Sequence, residues 1–227
     1  MNFPQVNTGD MKKAKLELCN PKKETIAILN EAYNINVSIK TMQINTLEFC
    51  LPLHIDYYGE KIDNPHLADM LPYYLVRLTI GDYREYFRIT RPKDEGGNED
   101  YKFYYCLSYI STLADRRLVS YSVVSYTIKQ VLEDILRDTN WTIKKVSHGS
   151  LLDIDPEFDN KFRSVDSGDT NILNFIYDNL ANAYNCLPIF DTETEEISIY
   201  APENVGKDLG LTLSYKKYID TFGLELD

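Results

Sequence analysis

The 227-residue sequence lacks the long apolar runs and the export signal that would place a protein in or across a membrane. Apolar residues make up 44% of the chain, yet they never reach the roughly 18 consecutive positions that a membrane-spanning helix needs. The N-terminal sequence MNFPQVNTGDMKKAKL has no apolar core of a signal peptide. We therefore expect synthesis in the cytoplasm and no membrane association.

Metal-ligand spacings are also missing. The four cysteines stand far apart, with no CxxC pair: Cys19, Cys50, Cys106 and Cys186. The three histidines form no HExxH or other close pair: His54, His66 and His148. In a chain without an export signal, this pattern predicts buried, reduced thiols and no metal site. A nucleophile pair of Cys186 with His148 stays open, because such partners meet in space and not in sequence.

No motif for nucleotide binding or covalent catalysis is present. GxGxxG, GxxxxGK[ST] and GxSxG are all absent, and the acidic neighbours of Gly96 and Gly97 would oppose a phosphate. The carboxylate pairs Glu133–Asp134 and Glu195–Glu196 are adjacent, which favours solvent exposure over opposition across a cleft. We predict no catalytic residue and no cofactor.

A run of alternating acidic residues is similar to a calcium loop but departs from its pattern. The run is Asp153, Asp155, Glu157 and Asp159. An EF-hand loop starting at Asp153 requires glycine and glutamate where this chain has Phe158 and Ser164. The run therefore predicts a solvated acidic loop.

Charge is distributed unevenly along the chain. The net charge is −11; residues 1–118 hold fifteen Lys/Arg against sixteen Asp/Glu, whereas residues 119–227 hold nine against nineteen. Binding to nucleic acid requires clustered cations, so we expect no affinity for it. The strand 101–109, which contains Tyr104 and Tyr105, is then a hydrophobic wall and not a base-stacking platform.

The first half of the sequence reads as antiparallel strands. Residues 14–19 and 25–30 flank a turn at 20–23, although a short helix also fits the second run. Residues 47–53 alternate at period two, and Pro52 predicts an edge position or a bulge. Gly81-Asp82 predicts a two-residue hairpin that pairs 83–91 with 73–80. After a polar loop at 93–100, Tyr101, Phe103, Tyr105, Leu107 and Tyr109 predict one buried face of a barrel or sandwich.

The second half reads as two helix-strand units. One amphipathic stripe comprises Val124, Ile128, Val131, Leu132, Ile135 and Leu136, and predicts a helix of about three turns before a strand at 141–146. Trp141 is predicted in the core. Asp169 is the predicted cap of a second helix, which leads to strands at 187–190 and 197–201 around a charged loop at 191–195. Further strands are expected at 211–215 and 218–226.

Several segments together make the chain resemble the N-terminal region of phage tail-associated lysins, the baseplate hub or prophage endopeptidase tail proteins. These segments are 131–141, 162–168 leading into 172–180, 186–191 followed by 197–200, and 210–218. The resemblance implies an α+β fold: an antiparallel β-barrel-like hub domain at 1–118, a helix-strand domain at 119–205, and the first strands of a second, incomplete barrel at 206–227.

The resemblance also implies a role. It predicts a non-enzymatic structural protein of a virion tail, encoded by a phage or a prophage, that forms a homotrimeric ring below the tail tube. The distal tail protein and the tail tube or tape measure protein are the expected partners, and any lytic domain is expected outside this chain. An acidic chain suits a conduit that must not retain DNA.

Two other functions remain open on the sequence. One is a peptidoglycan hydrolase whose acidic and histidine residues converge only in the fold. The other is a cell-surface carbohydrate-binding module that uses exposed tyrosines and Trp141.

Overall fold

The computed structural model describes residues 14–90, 100–145 and 152–205. Nine strands lie in the part of the chain before residue 109: β1 (Lys15–Cys19), β2 (Thr25–Ile28), β3 (Tyr33–Ser38), β4 (Thr46–Pro52), β5 (His54–Tyr57), β6 (Glu60–Asp63), β7 (Leu75–Ile80), β8 (Tyr83–Ile89) and β9 (Tyr101–Ser108). Strands β5 and β6 form a hairpin of their own, and the other seven form one antiparallel sheet in the order β2-β1-β7-β8-β9-β4-β3.

This seven-stranded sheet is open. Its edge strands β2 and β3 do not pair with each other within the described residues, so the predicted barrel-like domain is corrected to an open antiparallel sheet. Strands of an open sheet and of a closed barrel show the same apolar alternation. The sequence pattern therefore does not reveal whether the two edge strands meet and close the sheet.

One face of the sheet carries the first hydrophobic core. Neighbouring strands contribute facing pairs: Leu18 with Val76, and Phe49 with Tyr104, whose rings stack at 5.5 Å between centroids. Phe49 is fully buried, and burial of such a side chain contributes about 1.5–3 kcal/mol. The repeated pairing of large apolar side chains on this face holds the strands in register.

Two predictions about individual strands need correction. On β9 the buried residues are Tyr104, Cys106 and Ser108, so the predicted inward face of this strand was wrong by one residue. The larger apolar side chains of β9 lie on its half-buried face, at Tyr101, Phe103, Tyr105 and Leu107, so the sequence pattern indicated the wrong face. Strand β4 lies inside the sheet, not at its edge, and Pro52 is its last residue, beyond the part that pairs with β3.

The predicted hairpin at Gly81-Asp82 is confirmed. Ile80 pairs with Tyr83 across the turn, and Gly81 has a positive φ of 60°. Glycine adopts this conformation without the steric cost that a side chain would impose.

The second part of the chain contains short strands and two helical segments. Its strands are β10 (Arg117–Leu118), β11 (Ser122–Tyr126), β12 (Thr142–Ile143), β13 (Arg163–Asp166), β14 (Thr170–Asn171), β15 (Leu187–Asp191) and β16 (Glu196–Tyr200). The pairs β10–β14 and β11–β13 are antiparallel, and β16 joins β12 in parallel and β15 in antiparallel fashion. No helix of the described residues is both long enough and apolar enough to cross a membrane.

Helix α1 (Ile128–Ile135) begins at a capping box. The Thr127 hydroxyl accepts a hydrogen bond from the Gln130 amide, and the Gln130 side chain accepts one from the Thr127 amide at 2.9 Å. The predicted stripe from Ile128 to Ile135 is buried, as expected. Val124 was wrongly included: it lies on β11 with 74% of its surface exposed, so the helix is about one turn shorter than predicted.

The second helical segment is irregular. It consists of α2 (Ile172–Asn174), a π-helical stretch (Phe175–Leu180) and α3 (Ala181–Tyr184). Its cap is Asn171, whose side chain accepts from the Asn174 amide at 2.9 Å. The predicted cap, Asp169, instead forms an ion pair with Arg117, because β14 delays the start of the helix.

Most buried apolar residues of the described chain fall into two large clusters, and a third, small cluster contains Cys19, Leu75 and Tyr86. The first cluster ends at Cys106 and the second begins at Ile110. Trp141 belongs to the second cluster, 3% exposed, and its indole N–H donates to the Thr112 hydroxyl at 3.1 Å. It is therefore a core residue, as predicted. The domain boundaries at residues 118 and 205 stay predictions, and the strands expected at 211–215 and 218–226 lie outside the described residues.

Candidate functional site

The candidate catalytic and metal-binding residues do not come together in the described part of the chain. No group of three or more His, Cys, Asp or Glu side chains there is arranged to hold a metal ion. His54 lies at the base of the β5–β6 hairpin, with its Nδ1 atom 3.0 Å from Asp63. Cys186 is buried, which raises the pKa of its thiol to about 12 and disfavours the nucleophilic thiolate. His148 lies outside the described residues.

The acidic run at 153–159 is partly structural. Asp153 accepts hydrogen bonds from the hydroxyls of Ser198 and Tyr200 at 2.9 and 2.7 Å, and Asp155 accepts one from the Ala201 amide at 2.6 Å. The other two carboxylates are exposed: Glu157 and Asp159. The prediction of a solvated loop was therefore wrong for the first half of the run, because its carboxylates join the loop to β16.

A cleft of about 400 Å³ opens beside this loop, between the two cores. Four acidic side chains line it, and three of them have partners: Asp153 as above, Asp191 with Lys144 at 3.3 Å, and Glu193 with Arg84 at 3.8 Å; the fourth is Asp82. Carboxylates neutralised in this way are poor general bases. The other candidate pair, Glu133–Asp134, lies on α1 and forms ion pairs with its own helix and its end.

The most extensive polar contact lies where the turn between β15 and β16 meets the seven-stranded sheet. Strand β9 pairs with β8 only from Phe87 to Ile89, so Tyr86 lies beyond the paired segment. The Tyr86 amide instead donates to the Thr192 hydroxyl at 2.9 Å, and Thr192 is 3% exposed. The loop predicted as a charged hairpin connection is thus a docked element.

Lys23 anchors this turn. Its ammonium group lies 2.7 Å from the Glu195 carboxylate, donates to the Thr192 carbonyl at 2.8 Å, and lies over the Tyr109 ring at 4.7 Å. Burial, together with the charge of Glu195, raises the pKa of Tyr109. Only 16% of the Lys23 side chain is exposed, so solvent screens these contacts weakly.

Glu193 makes the second ionic contact of the turn. Its carboxylate accepts a hydrogen bond from Arg77 on β7 and lies 3.8 Å from Arg84 on β8. Arg77 is also 3.8 Å from Glu17 on β1. The sheet therefore supplies the cations, and the turn supplies the anions.

A buried carboxylate lies on the opposite face of the same sheet. Glu85, 6% exposed, accepts hydrogen bonds from the Tyr83 and Ser108 hydroxyls and from the Asn45 amide at 3.1 Å. Burial raises the pKa of Glu85 despite these three donors. Burial and the charge of Glu85 also raise the pKa of Tyr177, which lies on the π-helical stretch.

The β5–β6 hairpin is the most exposed element. Its two-residue turn consists of Tyr58 and Gly59 with φ values of 54° and 86°, the pattern of a type I′ turn. Tyr58 is 92% exposed and Tyr57 58% exposed. A bulky residue in the left-handed region is strained, and an isolated two-stranded hairpin is only marginally stable in water. A sequence reading that searched for paired short strands around Tyr58-Gly59 would have found this hairpin.

The edges of the large sheet also expose apolar side chains. Edge strand β2 carries Ile26 and Ile28 at 44% and 43% exposure, and edge strand β3 carries Tyr33 at 38%. Strand β2 has no charged residue within Thr25–Ile28. Exposed apolar edges without charges favour pairing with another chain.

Comparison with solved structures identifies the fold. A prophage tail protein, gp18 from Listeria monocytogenes EGD-e, aligns with a TM-score of 0.58 and 17% identity over 91% of this chain and 56% of that protein. The fold is that of a prophage tail protein. The tail protein from Neisseria meningitidis MC58 aligns at 0.51 with 9% identity, over 82% of this chain and 50% of that one. The 43 kDa tail protein of prophage MuSo2 from Shewanella oneidensis aligns at 0.50 with 12% identity, over 82% and 52%.

Sequence comparison finds a prophage-derived relative. Residues 18–106 match the family described as the YOMG N-terminal domain. The chain is 27% identical over 207 residues to the SPbeta prophage-derived uncharacterized protein YomG of Bacillus subtilis (strain 168). That alignment covers 90% of this chain and 22% of YomG, so the chain spans about a fifth of the relative's length.

Proposed function

We propose that this chain is a structural component of a phage tail, encoded by a prophage, which acts as a baseplate hub or tail-tip subunit. The observation that carries the proposal is the fold shared with the gp18 tail protein across 91% of the chain. The YomG relative adds a prophage origin. In this proposal the chain has no enzymatic role, and its place is the virion tail.

The exposed surfaces support assembly with copies of itself. An open sheet has two different edges, here β2 and β3, and contact of one edge with the other edge of the next copy is a heterologous interface. Such an interface closes into a ring when the rotation between copies divides a full turn. We propose a ring of three copies, with the β5–β6 hairpin as an additional contact between neighbours.

The partners follow from the position of such a ring. We propose that it lies below the tail tube, on the distal tail protein, and contacts the tail tube or tape measure protein. The net charge of −11 supports a passage that repels DNA, because like charges on the lining and the phosphates disfavour binding.

Sedimentation equilibrium of the purified chain tests the assembly. We expect a concentration-dependent species of three times the 26.3 kDa chain mass. Replacing Ile26 and Ile28 with lysine places two charges on the β2 edge, and we expect this variant to remain monomeric.

The matched control is Val124→Lys. Val124 is an exposed apolar strand residue, 74% exposed on β11, far from the sheet edges in sequence. Its substitution should leave the assembly unchanged. A wild-type chain that stays monomeric at the highest soluble concentration, or lysines at both positions without effect, would contradict ring assembly through this edge.

A further inference from the structure

The seven-stranded sheet has a gap along strand β8. Strand β7 pairs with β8 over its whole length, from Leu75–Arg88 to Ile80–Tyr83, but β9 pairs only from Phe87 to Ile89. On that side, residues 83–86 have no neighbouring strand among the described residues. An unpaired edge inside a sheet leaves amides without acceptors and invites a strand from another chain.

The turn at residues 191–196 occupies this gap. Its Thr192 hydroxyl accepts the Tyr86 amide, as a strand carbonyl would. The turn is held in shape by Asp191, whose carboxylate accepts the amides of Glu193 and Thr194 at 3.0 and 3.3 Å. Although burial raises the pKa of Asp191, hydrogen bonds from Lys144 and from these two amides outweigh it and lower the pKa. The turn is therefore preformed.

Opposite charges also hold the turn at the gap along β8. Lys23, in the turn between β1 and β2, and Arg77 on β7 supply the cations, and Glu195 and Glu193 come from the turn at 191–196. The Lys23 ammonium group also lies over two aromatic rings, 4.7 Å from Tyr109 and 5.4 Å from Tyr86. Such a cation keeps its aromatic contacts only if the carboxylate partner is also present, because an unpaired buried charge is costly.

We propose that residues 191–196 form a clasp that closes the open edge of β8 and fixes the orientation of the second core relative to the seven-stranded sheet. The clasp is a conformational device, and it holds whether or not the chain assembles into a tail. Without it, both cores retain their own buried clusters, but the second core is no longer held in one orientation against the sheet. The Tyr86 amide then becomes free to exchange with solvent or to pair with another chain.

Hydrogen exchange of the Tyr86 amide tests the clasp directly. Selective ¹⁵N-tyrosine labelling reports this amide by NMR, and Thr192→Val removes the acceptor while it keeps the side-chain shape. Loss of one hydrogen bond of ordinary strength predicts exchange about tenfold faster at Tyr86. The Tyr104 amide, in the centre of the first core, serves as the internal reference and should not change.

Three further variants, one of them a control, complete the test of the clasp. Thr192→Ser restores the hydroxyl and should restore protection at Tyr86, which separates loss of the bond from general destabilisation. Lys23→Met combined with Thr192→Val should increase the radius of gyration in small-angle scattering, whereas Arg117→Gln, which breaks the exposed ion pair with Asp169, should not.

Salt provides an independent check. Raising the ionic strength from about 0.05 to 1 M should speed Tyr86 exchange in the wild type more than in Arg84→Gln, since that variant lacks the exposed ion pair with Glu193 that salt screens. Protection of Tyr86 that is unchanged in Thr192→Val, or a scattering profile of the double variant identical to the wild type, would overturn the proposal.

Discussion

Replacing Tyr58 with asparagine should stabilise the isolated subunit and weaken its self-association. Tyr58 has a φ of 54° at the first central position of a type I′ turn, where asparagine is strongly preferred. A non-glycine residue in the left-handed region costs about 1–2 kcal/mol, and asparagine avoids most of this cost. The side chain is 92% exposed, so its removal loses little burial.

The expected gain is reduced by one contact. The Tyr57 and Tyr58 rings meet edge to face at 4.6 Å between centroids, and such pairs contribute about 0.5–1.5 kcal/mol when buried and less when exposed, as here. We therefore expect a net stabilisation of about 0.5–1 kcal/mol. For a chain of this size, that corresponds to a rise in Tm of about 1–4 °C in calorimetry.

The association should change in the opposite direction. Exposed tyrosines on a projecting element are typical interface anchors, and loss of an anchor costs about 2 kcal/mol or more, close to a thirtyfold weaker Kd. Sedimentation equilibrium measures this change. Tyr73 provides a matched control, because it is also exposed, at 69%, and has a φ of 70°, but it does not lie on the hairpin.

Tyr73→Asn should therefore raise the Tm and leave the association unchanged. A lower Tm in Tyr58→Asn would refute the argument from strain. A higher Tm with unaltered association would show that the hairpin tip lies outside the interface, and the proposed contact between neighbours would have to be abandoned.

Three further predictions concern the folded chain alone. Burial raises the pKa of Glu85, so the folded protein keeps a proton that the unfolded chain has released. The free energy of unfolding of the wild type should therefore fall as the pH rises from the ordinary pKa of 4.5 through the raised pKa. Glu85→Gln should flatten this pH dependence in urea titrations at several pH values. Thr127→Ala removes the capping box of α1 and should cost about 0.5–2 kcal/mol in the same assay, with the exposed Thr41→Ala as a near-neutral reference. Trp141→Phe leaves the Thr112 hydroxyl without its donor and opens a small cavity, so it should destabilise the fold by about 1–3 kcal/mol. It also removes the only tryptophan fluorescence of the chain. An unchanged urea midpoint would place Trp141 outside the core.

The elements that the sequence predicted well depend on residues close to one another in the chain. The stripe of α1 and the Gly81-Asp82 hairpin are defined within a few positions, so composition and periodicity reveal them. The prediction failed on β9 because its larger apolar side chains lie on the half-buried face, whereas Tyr104 is the one aromatic residue of the buried face. The start of the second helix was missed because β14 must first pair with β10.

The candidate site illustrates the limit most clearly. Residues 191–195 were predicted as a charged loop because all five are charged or hydroxylated and no local pattern indicates burial. Their partners lie far away in sequence: the Tyr86 amide is 106 positions from Thr192, and Lys23 is 169 positions from it. No local sequence pattern indicates that β9 pairs with β8 only from Phe87 to Ile89, which creates the gap that the turn fills.

By itself, the sequence determined the buried helical stripe, the core position of Trp141 and the acidic charge, because each depends on residue type or on spacing within one element. The tertiary structure alone decided whether the large sheet is open, which faces of its strands are buried and where the charged turn docks. These features depend on pairing between distant segments, and the free energy of such pairing is set by geometry that no single segment contains.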